Sequence, residues 1–404
     1  MKYGLIVHFK TRNIGDDIQC YAMEKFLPHV DYLIDREHLD SFYTPTGEKV
    51  AAFLGGWYLH KPLNWPPSPF LKILPIAFHI TMREGKGNLA LTDYGTTWLK
   101  KVAPIGCRDE GTAEILQSYG VPAYFSGCFT LTIKPFANVA KHGKIVLADC
   151  AKEVADFIKQ NTKKEIAIVS HKYSKPKLPP EVVAYAEEHD KKDIIPTSHK
   201  PAQLDEPHEE VCYKGSWSYR RALVEGLLRF YQGASLVVTK RLHVSLPCLA
   251  MGTPVLLVRT EENLLNYRLS TYLPYLNHTT PELAVSSKLL SVSNTPAASS
   301  NYFFMDSSFN SSTPNDLFSK KFSFDFNNPP PNPGGHEKLV EKIRTACSAF
   351  ISSCENDMNT SRVDVETWWD DQQRILRLKR IIKTLMPSLQ STNSEPLNEN
   401  IYKA

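Results

Sequence analysis

Short hydrophobic runs and amphipathic stretches with helical spacing alternate along the first part of the chain. The runs predict strands at 3–9, 30–34, 50–54, 73–80, 104–107 and 123–125, and the stretches predict helices at 14–27 and 110–119. Strands that alternate with helices in this order are typical of a parallel, doubly wound sheet. The pattern therefore predicts an α/β domain over residues 1–140.

A polar stretch at 135–143 precedes a second series of the same kind. This series predicts strands at 144–148, 165–170, 236–238 and 255–258, and helices at 152–160, 180–189 and 219–231. It predicts a second α/β domain over residues 141–290. Because ligands of open α/β sheets bind beyond the carboxyl ends of the strands, we expect the functional residues in the loops that follow strands.

The periodicity disappears after residue 290, where serine, asparagine and proline dominate an irregular segment at 291–335. Helical spacing returns in a C-terminal region at 336–387, and a disordered tail is predicted at 388–404. The last helix ends in the basic, amphipathic sequence RILRLKRIIKTLM. This pattern is typical of a helix that docks on the body or forms a homodimer, with weak peripheral contact with an anionic membrane as the alternative.

Composition argues against several classes of protein. The net charge of +4, without a dense Lys/Arg stripe in the first 370 residues, argues against nucleic-acid binding. No apolar run is long enough to span a membrane, and the first strand is too short and too soon broken to be a signal peptide or membrane anchor. The eight cysteines form no C-x-x-C pair, so we expect free thiols in a reducing, cytoplasmic environment and no metal site.

The most informative stretch reads LVVTKRLHVSLPCLAMGTPVLLV, a buried strand, a polar turn, a helix and a second strand. The turn contains Lys240, Arg241 and His243. We expect the helix to begin near 244–246, because Pro247 is tolerated best in a first helical turn. Two cations and an imidazole at a helix N-terminus predict an anion-binding site with a proton donor; the alternative is a basic surface turn.

Two further loops follow predicted strands of the first domain. Residues 13–17, with the sequence NIGDD, open the first helix, and Arg108 follows the fifth strand. Asp16 and Asp17 suit the positive end of a helix, so an N-cap role is the alternative to a functional one. Arg108 is equally suited to binding a ligand and to pairing with Asp109 or a backbone carbonyl.

Histidine and aromatic residues also occur at predicted strand ends. His79 and His171 each end a strand, where a structural role is the usual one for a single histidine. Aromatic side chains after the third strand are suited either to stacking on a sugar ring or to packing into the core. The residues of that loop are Trp57, Tyr58, His60 and Trp65.

Four motifs occur in order along residues 1–258. They are Asn13-Ile14-Gly15-Asp16-Asp17; Gly106-Cys107-Arg108-Asp109 followed by Thr112; Phe125-Ser126-Gly127-Cys128 followed by Leu131; and Thr239-Lys240-Arg241-Leu242-His243 ending in Gly252-Thr253-Pro254. Together they resemble the polysaccharide pyruvyl transferase family. The resemblance implies two Rossmann-like domains that face a cleft, as in GT-B glycosyltransferases. It also implies a sugar or glycan acceptor and phosphoenolpyruvate as donor, without a cofactor, and a pyruvyl group that becomes a cyclic ketal on two hydroxyls.

The charge of phosphoenolpyruvate suggests a role for the basic candidates. Its phosphate and carboxylate need cations, so Arg241 and Arg108 are predicted to clamp it from the two domains, with Lys240 nearby. His243 is the predicted acid that protonates the methylene carbon. Imidazolium titrates near neutrality and is stabilised beside an anion.

The acceptor side is assigned to the loop that opens the first helix. Asp16 is the candidate base for a sugar hydroxyl, with Asp17 as the alternative. Asn13, Gly15 and Asp17 are candidates for binding substrate. Their position at the end of the first strand, facing the basic turn across the cleft, is the reason for this prediction.

Two other functions are compatible with the sequence. A GT-B glycosyltransferase would use a nucleotide sugar and would bind a nucleoside diphosphate in the cleft. A non-catalytic carbohydrate-binding relative would keep the fold and lose the Arg-Leu-His or Gly-Asp-Asp residues. Both of these motifs are present in this chain, so the catalytic interpretation is preferred.

Overall fold

The computed structural model describes residues 1–58, 64–80, 91, 93–173, 177–192, 195–196, 216–259, 267–281, 284, 324–356 and 362–385. The elements of the first sheet and its helices are β1 (Lys2–Val7), α1 (Ile14–Glu24), β2 (Tyr32–Asp35), β3 (Val50–Trp57), β4 (Leu71–His79), α2 (Asp93–Lys101), β5 (Ile105–Cys107), α3 (Glu110–Ser118) and β6 (Ala123–Phe125). The strand order is β2-β1-β3-β4-β5-β6, and neighbouring strands are parallel.

A second parallel sheet follows in the chain. Its elements are β7 (Ile145–Ala148), α4 (Lys152–Asn161), β8 (Ile166–Val169), α5 (Pro180–His189), α6 (Trp217–Gly233), β9 (Leu236–Thr239), α7 (Leu242–Ala250), β10 (Val255–Val258), α8 (Tyr267–Ser270) and β11 (Asn277–Thr279). The strand order is β11-β10-β9-β7-β8. The central strands β7, β9 and β10 are buried along their whole length, as strands with helices on both faces must be. The predicted α/β class with parallel sheets is confirmed.

Two differences from the predicted elements have clear causes. The sequence analysis missed α2, whose glycine and paired threonines are poor helix formers; burial of Leu99 in the core of the first sheet stabilises it instead. Helix α7 begins at Leu242, earlier than predicted, and Pro247 lies inside it. The backbone of His243 is non-helical (φ −82°, ψ 19°), so the helix is kinked where Pro247 cannot donate a hydrogen bond to the preceding turn.

The start of α1 is joined to the second sheet by backbone hydrogen bonds. The N–H of Ile14 donates to the carbonyl of His171 over 2.9 Å, and the N–H of Tyr173 donates to the carbonyl of Arg12 over 3.1 Å. Asn13 and Lys172 form an antiparallel bridge between these hydrogen bonds. The carboxyl end of β8 therefore fixes the position of the loop that opens α1.

Two C-terminal helices, α9 (Glu337–Asn356) and α10 (Val365–Leu385), pack on the first sheet. The ring of Phe350 in α9 lies 5.7 Å from that of Phe53, and the buried Trp368 of α10 stacks on Tyr43 at 5.6 Å. The predicted docking of the last helix is thus confirmed for its first half, whereas Leu378 further along is exposed.

Several other predictions concern residues that the structure describes only in part or not at all. The tail at 388–404, most of the irregular segment at 291–335 and His60 lie outside the described residues. Within the described residues, the cysteines are free, and no helix is long and apolar enough to cross a membrane.

Candidate active site

Gly15 allows His243 to approach the first turn of α1. A Cβ atom added to Gly15 would lie 3.1 Å from both Cβ and Nδ1 of His243, which is closer than such contacts ordinarily are. Gln19, one turn further along the same helix face, accepts a hydrogen bond from Arg108. The N-terminal part of α1 therefore contacts both His243 of the second sheet and Arg108 of the first.

Arg108 is a buried cation that is only partly satisfied. Its side chain follows β5 and is 1% exposed, and Nη1 donates to Gln19 Oε1 over 3.0 Å. Nε and Nη2 are buried and have no hydrogen-bond partner among the described residues. The alternative that Arg108 is tied to Asp109 or a carbonyl is not supported by these contacts. Because burial of an uncompensated charge costs several kcal/mol, the site is suited to an anionic ligand.

His243 presents a second unsatisfied group. Its Nε2 is buried, and no described residue forms a hydrogen bond with it. Burial holds the pKa of His243 well below its usual range, and the charges of Arg108, Arg268 and His171 lower it further, against the opposite effect of Asp16. These effects favour the neutral imidazole, whereas the sequence suggested a group that titrates near neutrality.

Arg241 is held by a carboxylate that the sequence analysis did not identify. Its Nε donates to Asp149 Oδ2 over 3.0 Å. Asp149 directly follows β7, has a left-handed backbone (φ 47°) and also accepts from the N–H of His171 and the hydroxyl of Ser170. Although burial raises the pKa of Asp149, Arg241 and these hydrogen bonds lower it overall. Lys240 is partly exposed beside Arg241.

Asp16 is engaged by neighbours within the first sheet. Its Oδ2 accepts from the hydroxyl of Thr11 over 2.6 Å and lies 3.4 Å from His8 Nδ1, and its Oδ1 lies 3.8 Å from Arg36 Nη1. Burial alone would raise the pKa of Asp16, but Arg36, His8 and Thr11 bring it well below its usual range. Such a stabilised carboxylate is a weak base.

Asp17 joins the two sheets. Its carboxylate is fully buried, accepts from Nε of Arg220 over 3.0 Å and from Nη2 of the same guanidinium, and accepts the hydroxyl proton of Tyr173. The N-cap alternative for Asp16 and Asp17 is wrong, because the cap is Asn13, whose Oδ1 accepts from the N–H of Gly15 over 3.1 Å.

His79, Asp109 and Thr112 form a buried polar group at the ends of β4 and β5. Nδ1 of His79 lies 2.6 Å from Asp109 Oδ2 and 2.9 Å from Thr112 Oγ1. Asp109 also caps α3, since its Oδ1 accepts from the N–H of Thr112 over 2.9 Å. The sequence signal for this group was the spacing of Asp109 and Thr112, which fits an N-cap, and nothing local connected them to His79.

The aromatic loop after β3 divides into core and site residues. Tyr58 and Trp65 are buried in the core of the first sheet, so packing is the correct interpretation for them. Trp57 is partly exposed, its ring lies 6.3 Å from that of His79, and the guanidinium carbon of Arg268 lies 5.8 Å from its centre. Trp57 therefore belongs to the same edge of the sheet as His79 and Arg108.

Among the described residues, no three His, Cys, Asp or Glu side chains are grouped so that they could hold a metal ion.

Comparison with known proteins gives one informative match. The family model described as polysaccharide pyruvyl transferase matches residues 13–262, more than half of the chain. No curated protein matches this chain significantly. Among solved structures, that of the uncharacterised protein KP1_0663 from Klebsiella pneumoniae subsp. pneumoniae NTUH-K2044 is 14% identical, with a TM-score of 0.38, and the match covers 69% of this chain and 93% of that one. A TM-score of this size supports no conclusion about fold or function.

Proposed function

Because the chain belongs to the polysaccharide pyruvyl transferase family, whose members transfer a group to a sugar or glycan, we propose that it uses phosphoenolpyruvate as donor. The pyruvyl group would be placed on two hydroxyls of the acceptor as a cyclic ketal, with release of phosphate. The two sheets would act as Rossmann-like domains in a GT-B-like arrangement, with the site between the end of β5 and the turn after β9.

The observation that carries this proposal is the buried, half-satisfied guanidinium of Arg108. Phosphoenolpyruvate carries a phosphate and a carboxylate, and a guanidinium binds either group with two parallel hydrogen bonds. Nε and Nη2 of Arg108 are adjacent donors of this kind. Arg241, held through its Nε by Asp149, would present its remaining donors to the other anionic group, with Lys240 beside it.

His243 is the proposed acid. The C2–C3 double bond takes a proton from His243 at C3, C2 becomes electrophilic, and the first hydroxyl oxygen bonds to it. Departure of phosphate and attack by the second hydroxyl complete the ketal; of the two hydroxyl protons, one leaves with phosphate and one restores His243. The charge of Arg108 lowers the pKa of His243. A bound trianion would oppose that charge and would favour the imidazolium.

The loop that opens α1 would shape the site. Gly15 leaves room for His243, and Asn13 fixes the first turn of the helix by accepting from the N–H of Gly15. Asp17 would keep the two sheets in place through Arg220 and would not touch substrate. Asp16 would serve as a fixed negative charge near His243 in place of the base predicted from the sequence.

The direct test is chemical. The protein is incubated with phosphoenolpyruvate and a set of methyl pyranosides, and phosphate release and ketal formation are followed by NMR. Wild type should release phosphate and His243→Gln should lose at least about 10²-fold in rate, as expected for loss of a general acid. His142→Gln, which removes an imidazole packed on Phe230 away from the site, is the matched control. Activity with nucleotide sugars, and none with phosphoenolpyruvate, would contradict the proposal and favour a glycosyltransferase.

A further inference from the structure

The proposed reaction needs a group that accepts the proton of the attacking sugar hydroxyl. The two carboxylates predicted for this role are already engaged. Asp16 is bound by Thr11, His8 and Arg36, and Asp17 is enclosed by Arg220 and Tyr173. A base must therefore be sought elsewhere on the same edge of the first sheet.

The hydrogen bonds around His79 determine which ring nitrogen is basic. The hydroxyl of Thr112 donates its single proton to Asp109 Oδ1 over 2.9 Å, so toward His79 its oxygen is an acceptor. Among the described residues, Nδ1 also forms an ion-pair contact of 2.6 Å with a carboxylate oxygen of Asp109, which cannot donate a proton. Nδ1 therefore carries the proton, and Nε2 has the lone pair. This is the tautomer that a general base needs, with a carboxylate placed as orienting partner.

His79 lies next to the proposed phosphoenolpyruvate site. The N–H of Arg108 donates to the carbonyl of Phe78 over 2.8 Å, which places Arg108 and His79 side by side at the ends of β5 and β4. The charge of Arg108 acts on both His79 and His243. Arg108 thus lies within electrostatic range of two imidazoles from different sheets, and Trp57 provides an aromatic face close to His79.

We propose that His79 is the general base for the acceptor hydroxyl, that Asp109 and Thr112 are its positioning residues, and that the acceptor sugar lies against Trp57. This inference rests on the proposed function. As the hydroxyl oxygen bonds to C2, its proton moves to Nε2 of His79, while the electrons of the C2–C3 double bond take the proton of His243. The proton on His79 then passes to the departing phosphate. The second hydroxyl bonds to C2 and its proton returns to His243, so that both imidazoles are restored and no further reactant is needed.

The charges around His79 fit this role. Burial lowers the pKa of His79 to about 4, and Arg108 and Arg268 lower it too, while Asp109 raises it. The imidazole is therefore unprotonated at neutral pH, as a base must be. A trianion bound to Arg108 would offset that charge, and the basicity of His79 would rise when the donor is in place.

Asp109→Asn is the most informative variant. It keeps Oδ1 as the cap of α3 but replaces Oδ2 with an amide that donates to Nδ1, which forces the proton onto Nε2. We expect a loss in kcat of about 10²–10⁴-fold, as for loss of a general base or of the residue that fixes its tautomer. His79→Gln should lose a similar amount, and both variants should keep the wild-type KM for phosphoenolpyruvate.

Thr112 offers a matched pair of substitutions. Thr112→Ser keeps the hydroxyl that orients His79, whereas Thr112→Val keeps the shape and removes it. Turnover should be retained in Thr112→Ser and should fall in Thr112→Val. In His79→Gln, the pH profile of kcat should lose its acid limb. If these residues only stabilised the fold, each variant would instead lose thermal stability in proportion to its loss of activity.

Phosphate release is measured with phosphoenolpyruvate and either water or methyl pyranosides as acceptor, and donor binding is measured separately by thermal shift. If wild type binds and turns over phosphoenolpyruvate while His79→Gln or Asp109→Asn stays within about threefold of it, this inference is wrong and the proposed function stands. If wild type neither binds phosphoenolpyruvate nor releases phosphate, the proposed function fails, and this inference fails with it.

Discussion

Two acidic and two basic side chains meet at the start of α1, and they differ in how their polar atoms are satisfied. Asp16 and Asp17 are surrounded by partners, with Arg220 and Tyr173 closing around Asp17 from the second sheet. Beside them, Arg108 is buried and His243 is partly buried, and three of their nitrogen atoms are buried without a hydrogen-bond partner among the described residues. A buried charge with a partner supports the fold, whereas one without a partner indicates that a ligand completes it. By this criterion Asp17 holds the two sheets together, Asp16 is fixed within the first sheet, and the basic side chains form the site.

The largest predicted effect is on the free energy of unfolding, and it tests the contrast between Asp17 and Arg108. Arg220→Met leaves Asp17 buried without its cation and should lower the free energy of unfolding by about 3–5 kcal/mol. The same substitution at Arg108 removes a charge that the protein alone does not compensate, so stability should be unchanged or higher. Urea denaturation of the two variants measures this. A loss of similar size in both would mean that Arg108 is also a structural residue.

A second prediction concerns pH and uses a buried imidazole at the end of β8. Burial, and to a lesser extent Arg241, lowers the pKa of His171 to about 4, although Asp149 raises it. The unfolded chain takes up this proton below about pH 6.5, so the folded state loses stability as the pH falls from about 6.5 to 4. At about 1.4 kcal/mol per pKa unit, the loss from His171 is about 3 kcal/mol.

Urea denaturation at pH 7 and pH 4.5 tests whether the free energy of unfolding falls as the pH is lowered. His171→Gln should lose less stability between the two values than wild type does. His79 follows the same direction, because its pKa is also lowered to about 4 by burial and by Arg108. Identical pH dependence in wild type and His171→Gln would show that the imidazole is not kept neutral by the fold.

The smallest predicted effect lies at Asp149. Asp149→Asn tolerates the left-handed backbone and removes the charge that orients Arg241. Phosphoenolpyruvate should bind about tenfold more weakly, since a hydrogen bond to a charged group is worth about 1.5 kcal/mol. In an Arg241→Ala background the same change should cost nothing further. An equal loss in both backgrounds would show that Asp149 acts independently of Arg241.

Local sequence pattern predicted most of the fold. Buried runs such as those of β7, β9 and β10 are recognisable because both faces of a central parallel strand are apolar. Helix α2 was missed because its own residues favour a helix weakly and the core around Leu99 stabilises it. The start of α7 was misplaced because the kink at His243 relieves the constraint that Pro247 imposes.

Several residues of the candidate site could be predicted from their position at strand ends. The residues that they contact could not be predicted. Strand ends identified Arg108, Arg241 and His243, since the carboxyl edge of a parallel sheet collects functional residues. The roles of the acids could not be predicted in the same way. Asp17 pairs with Arg220 from a distant helix, and no local pattern contains that contact. The group around His79 was hidden for the same reason, because β4 and β5 meet only in the folded sheet.

The central claim is that the unsatisfied guanidinium of Arg108 binds phosphoenolpyruvate. Calorimetric titration of phosphoenolpyruvate into wild type and Arg108→Met at neutral pH tests it directly. The account predicts binding to wild type and affinity at least about 10²-fold weaker in the variant, with no loss of stability, since one preplaced donor at such a site is worth about this much. Equal affinity in the two proteins, or binding of a nucleotide sugar in place of phosphoenolpyruvate, would contradict it.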